Sequence, residues 1–194
     1  MVRVSLLFIA LAAAQAAPKQ APLPKYTAAD VAFMQGMIGH HQQAIEMVAL
    51  LKKNTTTKDM QLLGLRIEVS QNDEIRMMRT WLQTRGESVP QASDQASGGS
   101  EAHAMHMHDA KLMPGMLSAE QMAQLGAAKA AAFDKLFLEF MIQHHNGALI
   151  MVKELMSTPG AGQDSSIYAF ASDVEADQSA EITRMRRMRA NMGK

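Results

Sequence analysis

Two adjacent histidines occur twice in this chain, each pair preceded by a methionine. His40 and His41 follow Met37, and His144 and His145 follow Met141. Met47 and Met151 stand seven residues beyond the first histidine of each pair. Neutral imidazole and thioether are metal ligands, and thioether sulfur suits Cu(I) rather than iron. On a helix, residues three, four or seven apart share a face. Met37 therefore neighbours both His40 and His41, and Met47 lies two turns further on. Met141, His144, His145 and Met151 repeat that arrangement. Consecutive helical residues diverge by about 100°, so neither pair can aim both rings at one axis. Methionine at this spacing also serves as core filler, and a histidine on an apolar face is also met as a hydrogen-bonded core residue. Spacing alone leaves both readings open.

A second cluster lies between the pairs. His103, Met105, His106, Met107 and His108 fall within six residues, followed by Met113 and Met116. The surrounding segment is rich in Gly and Ser and reads as a flexible linker. Core packing does not account for methionines there. Sulfur alternating with imidazole points to Cu(I) or Ag(I), whereas a plain His tract would take Zn or Ni. Thioethers have no proton to lose, so such ligands persist at mildly acid pH.

The familiar metal site of a helical bundle is a di-iron carboxylate centre, which needs Glu-x-x-His on two helices. No Glu-x-x-His occurs in this chain; methionine takes that place before both pairs. Glu68, Glu74, Glu175 and Glu181 are read as acceptors behind the histidines or as surface charges.

The elements that position these residues are themselves repeated. DVAFMQGMIGHHQQAIEMV (residues 30–48) aligns without a gap to DKLFLEFMIQHHNGALIMV, 104 residues later. Glu46 has become Ile150 and Gln42-Gln43 has become Asn146-Gly147, while Met-x-x-His-His is unchanged. IEVSQNDEIRMMR (residues 67–79) likewise matches VEADQSAEITRMR (residues 174–186). The repeat unit is a helical hairpin. Thr27 to Asp30 and Ser118 to Gln121 fit capping boxes, and Gly86 is a helix stop. Helices are expected from Thr27 to about Lys53, from about Lys58 to Arg85, from Ser118 to about Met156 with a possible break near Gly126, and from about Asp164 to Asn191. Leu62, Leu63, Leu65, Ile67, Val69, Ile75, Met78 and Leu82 are expected to form the apolar stripe of the second helix, and Met185, Met188 and Met192 that of the last. Two amphipathic hairpins bury their faces against each other, which predicts an all-α, ferritin-like four-helix bundle. Its expected limits are residues 27–192, with repeat one at 27–86, a linker at 87–117 and repeat two at 118–192.

Composition agrees. Ala, Leu, Met, Glu, Gln and Arg dominate, a helix-forming set. Methionine reaches 18 of 194 residues, an excess that invites a chemical reason. Net charge is zero, which gives no support to nucleic acid or an anionic membrane as partner. Residues 1–16 read as a secretory signal, with Arg3, an apolar run too short to span a membrane, and a small-x-small cleavage pattern at Ala14 to Ala16. Residues 17–26 are a Pro-rich leader. Cysteine is absent, so no lipid anchor can be attached through a thiol and no disulfide is needed after export. The expected location is periplasmic or secreted.

With these motifs in place, the chain resembles the CopM-like exported proteins, a ferritin-like four-helix family long labelled as a domain of unknown function. The resemblance rests on FMQGMIGHHQQAIEMV, MLSAEQMAQL and FDKLFLEFMIQHHNGALIMV with the Glu/Ile/Met/Arg-rich last helix, and covers roughly residues 28–192. It implies a periplasmic bundle, and in its characterised copper-binding members Met and His hold Cu(I) or Ag(I). The family motif falls on Met37, His40, His41 and Met47, and on Met141, His144, His145 and Met151.

The expectation is a metal-binding protein that sequesters or delivers Cu(I), with Ag(I) or Cu(II) as further cargo and a copper-transfer protein as a partner. No nucleophile–base pair, phosphate loop or paired acid motif suggests catalytic turnover. Two other classes compete. A ferritin-like oxidase or redox enzyme would need a carboxylate-rich centre at the histidines. A metal-free interaction or stress module would show every bundle histidine hydrogen-bonded within the protein, with an exposed apolar patch elsewhere.

Overall fold

Thr27 opens the first helix with a capping box. Its hydroxyl accepts from the Asp30 N–H, and Asp30 Oδ2 accepts from the Thr27 N–H at 2.7 Å. Such a cap is worth about 1 kcal/mol. The computed structural model describes residues 26–91 and 112–192. Among them are five helices and no strand: α1 (Ala28–Asn54), α2 (Lys58–Thr84), α3 (Ala119–Ala127), α4 (Ala130–Ser157) and α5 (Ser165–Asn191). The short α3 is the first part of the expected interrupted helix. It begins at a Ser118–Gln121 capping box, and the chain breaks at Ala128 and Lys129, two residues beyond Gly126. Gly86 ends α2 with φ 72°, a left-handed conformation that favours glycine.

The four long helices make the bundle. α1 packs on α2, α4 on α5, and α1 against α4 through the middle. Two duplicated aspartates tie one hairpin to the other. Asp30 Oδ1 accepts from the Gly162 N–H at 2.7 Å, in the loop before α5. Its repeat equivalent Asp134 accepts from Thr57 Oγ1 at 2.6 Å, just before α2. Both aspartates are buried, so each crossing tie replaces water that the carboxylate has lost.

The interior is not one continuous apolar core. Phe33, Met34, Met37 and Ile38 of α1 share a cluster with residues from the second half of α2, the second half of α4 and the first half of α5. Met47, Val48 and Leu51 belong to a second cluster with the opposite halves. Between them, along all four long helices, fall the buried polar residues His40, His41, Gln71, Glu74, His144, His145 and Gln178. A polar belt therefore divides the bundle at its waist.

Part of the expected apolar pattern lies outside. Leu62, Leu65 and Val69 are 51%, 53% and 54% exposed. They stand at i, i+3 and i+7 on the outer face of α2, whereas Leu63, Ile67, Ile75, Met78 and Leu82 face inward. Of the three methionines expected on the last helix's stripe, only Met185 is fully buried; Met188 is half-buried and Met192, just past the end of α5, is exposed. The bundle buries about one face per helix, and an apolar residue on the other side gains no partner from it.

Candidate functional site

α1 and α4 cross so that the two histidine pairs meet in the polar belt. The inner rings, His40 and His144, have centroids 3.9 Å apart and planes inclined by 40°. The outer rings face the neighbouring helices. His41 Nε2 is bonded to Glu74 Oε2 of α2, and His145 Nε2 to Glu181 Oε2 of α5 at 2.5 Å. His40 Nε2 lies 2.9 Å from the carbonyl of Pro114. A carbonyl can only accept, so His40 carries its proton on Nε2 and leaves Nδ1 as a lone pair. Each of these carbonyl or carboxylate partners fixes a ring orientation, as partners behind metal-bound histidines do.

The remaining ring nitrogens are bare. Nδ1 of all four histidines and Nε2 of His144 are buried and have no hydrogen-bond partner among the described residues. Buried polar atoms without partners are rare and demand an explanation. Burial above all, then the neighbouring His41, pushes His40 down to about 3; the Pro114 carbonyl opposes this. His144 is held well below the usual histidine range by burial, then by His40, His145 and His41; the His40 main chain opposes this. The inner pair is therefore neutral at physiological pH, the form in which imidazole binds metals.

The methionines group across the hairpins, not within them. Met37 shares its cluster with Met151, on one side of the belt, and Met47 shares the other with Met141. The sequence suggests one ligand surface per hairpin; the packing of α1 against α4 instead groups the methionine before one histidine pair with the methionine after the other. Among the described residues, no three His, Asp or Glu side chains form a cluster able to hold an ion. Glu68 is engaged with Lys52, at 2.6 and 2.7 Å, and Glu175 is exposed.

A turn at residues 113–117 covers the inner pair. Gln43 clasps it twice, accepting from the Leu117 N–H at 2.8 Å and donating to the Leu117 carbonyl at 3.0 Å. Gln143 donates to the Gly115 carbonyl at 3.3 Å. On α4 the turn comes so close that a Cβ on Gly147 would lie 1.9 Å from the Pro114 oxygen. Gln43 and Gly147 are equivalent positions of the repeat, and one asymmetric turn accounts for their divergence. Met113 and Met116 are half-buried in it. Met113 Sδ and Met151 Cε come within 3.2 and 3.5 Å of the space beside Gly36, one helical turn before His40. Met113 is thereby joined to the bundle methionines. Met116 borders a separate groove with Gly39 and Gln43. The expected ligands His103, Met105, His106, Met107 and His108 lie outside the described residues. Sequence reasoning missed the Pro114 carbonyl, because a backbone group carries no residue-type signal. The change of Gln43 to Gly147 was the readable trace of that docking.

The chain belongs to the DUF305 family, a domain of unknown function whose model matches residues 30–189. No curated protein matches it by sequence. Among solved structures it is similar to a DUF305 fragment from Deinococcus radiodurans, at 26% identity and a TM-score of 0.69, covering 87% of this chain and 99% of the other. A candidate secreted DUF305 protein from Streptomyces coelicolor is similar at 25% identity and a TM-score of 0.69, covering 85% and 94%. CopM in its Cu(II)-bound form is similar at 27% identity and a TM-score of 0.62, covering 84% and 96%. CopM has also been solved with Cu(I), with Ag and in the apo form.

Proposed function

We propose that this DUF305 protein binds Cu(I), and Ag(I) in the same manner, as cargo to be sequestered or handed on. The observation that carries the reading is the inner pair, His40 and His144, neutral and with bare buried nitrogens between two methionine-containing clusters. Neutral imidazole with thioether is a donor set for soft monovalent ions. The candidate bundle ligands are His40 and His144 with Met37, Met151, Met47 and Met141, and Met113 from the docked turn. His41 and His145 add their Nδ1 atoms, oriented by Glu74 and Glu181. The linker residues His103, Met105, His106, Met107 and His108, with Met116, form a second candidate ligand set. The similarity to CopM, solved with copper and with silver, supports the metal class. Cu(II) is a further candidate cargo on the same comparison.

In this reading the protein performs no turnover. Its residues bind, orient and shield an ion, and a copper-transfer protein in the exported compartment receives it. The leader of residues 1–16 would direct export, with cleavage after Ala16. No helix among the described residues is long and apolar enough to cross a membrane.

The test is an anaerobic Cu(I) titration against a chromophoric competitor, with mass readout. Wild type is compared with a His40/His41/His144/His145→Ala variant and with a deletion of residues 103–108. The wild type should compete, and each variant should lose part of the stoichiometry. No competition by the wild type overturns the copper reading; unchanged stoichiometry in the bundle variant assigns all binding to the linker.

One observation favours a second reading. Leu62, Leu65 and Val69 form an exposed apolar stripe on α2, as a metal-free interaction module would require. That reading demands a partner for every bundle histidine, and His144 has none among the described residues.

A further inference from the structure

α2 and α5 do not close against each other along their whole length. Between them lies a cleft of about 320 Å³, lined among others by Arg66 and Ser70 of α2 and by Asp177, Glu181, Arg184 and Arg187 of α5. None of the three arginines forms an ion pair with a described residue, and none donates a hydrogen bond to one. Glu181 is already engaged by His145. Burial first, then the nearby Glu74, Glu181 and Asp173, pushes the Asp177 carboxyl up, toward its neutral form. Three guanidinium groups therefore face the cleft against two carboxylates, Asp177 and Glu181.

The duplication supplies an internal control. Residues of α5 follow their α2 equivalents by 107 positions, as Glu181 follows Glu74. At the places of Arg184 and Arg187, α2 carries Met77 and Thr80; at the place of Arg66, α5 carries Asp173. Met77 and Thr80 line the related groove on the other side of the belt, with Met34, Trp81 and Phe170. That groove also carries Arg76 and Arg85, but these are ion-paired with Asp73 and Asp164, whereas the three arginines of the first cleft have no such partner among the described residues.

We propose that the Arg66–Arg184–Arg187 cleft is a binding site for a small multivalent oxyanion, a phosphate or a polycarboxylate. A guanidinium presents a planar fork of donors that matches the oxygens of either group, and charge assistance strengthens each bond. Three such forks around one cleft favour a polyanion over chloride. Glu181 borders both this cleft and the histidine belt, through His145, but the proposal does not depend on the copper reading.

Isothermal titration of the full chain with inorganic phosphate, and separately with citrate, tests this against chloride at matched ionic strength. Saturable 1:1 binding of either anion is expected, weakened about tenfold or more in R184M/R187T. That variant installs the residues α2 already carries at the equivalent positions, so the helix tolerates them; circular dichroism checks its fold. R66A, at an exposed position, should weaken the same anion independently. Preference between phosphate and citrate identifies the ligand class. No saturable binding of either anion beyond the chloride control, or binding unchanged in both variants, overturns the proposal.

Discussion

His40 and His144 face each other with ring centroids 3.9 Å apart, and of the two only His40 has a hydrogen-bond partner among the described residues, the Pro114 carbonyl. Two imidazoles so close and so buried cannot both carry charge. The arrangement opposes folding through the bare nitrogens of His144, since an unsatisfied buried polar group costs about 1–3 kcal/mol. A residue kept at such a cost has a use other than packing. His144→Leu should therefore stabilise the metal-free protein by about 1 kcal/mol, because an apolar side chain removes the unsatisfied nitrogens. It should also lower Cu(I) binding. Urea denaturation and competitor titration of one preparation read both effects. A less stable variant with unchanged Cu(I) binding would make His144 a packing residue.

Acid should destabilise the metal-free bundle early. The folded pKa of His40, about 3, lies below the ordinary histidine value of 6.5. Between those limits the unfolded chain takes up a proton that the folded chain refuses. The contribution is fully present above pH 6.5 and is lost as pH falls toward 3. At pH 5 the loss from His40 is about 2 kcal/mol, and His144 shifts in the same direction. Denaturation midpoints at pH 7.5 and pH 5 should differ accordingly; a flat profile would contradict the buried neutral pair.

Glu74 and Glu181 should act through the rings they hold. E74Q and E181Q keep the shape of the side chain but remove the charge that fixes His41 and His145. Each is expected to lower Cu(I) affinity about tenfold while leaving stoichiometry unchanged. Full wild-type affinity in both would remove the outer histidines from the site.

The docked turn depends on the missing side chain at residue 147. Gly147→Ala gains about 1 kcal/mol in helix propensity, yet its Cβ would meet the Pro114 oxygen at 1.9 Å. The turn must lift, releasing both Gln43 bonds and the His40 bond to Pro114. A net loss of about 1–2 kcal/mol is expected. Hydrogen exchange at the Leu117 amide, which donates to Gln43, should accelerate; unchanged protection would show that the turn is held from elsewhere.

Much of this architecture is local and therefore legible. The capping boxes at Thr27 and Ser118, the stop at Gly86 and the break after Gly126 are set by residues within a few positions of each other. Outward Leu62, Leu65 and Val69 escaped the reading because a run of leucines fits more than one helical stripe. Glu74 and Glu181 were legible as histidine partners only as two of four candidate glutamates.

The sequence by itself determined the helices, the duplication, the soft donors and the absence of an iron motif, because these depend on residue type and short-range spacing. Only the tertiary structure decided which donors share a region. The packing of α1 against α4 groups Met37 with Met151 and Met47 with Met141, and brings His40 to His144, a pairing between residues 104 positions apart. It also decided that the Pro114 carbonyl would set the proton of His40, since that carbonyl reaches the ring only where Gly147 leaves room for the turn.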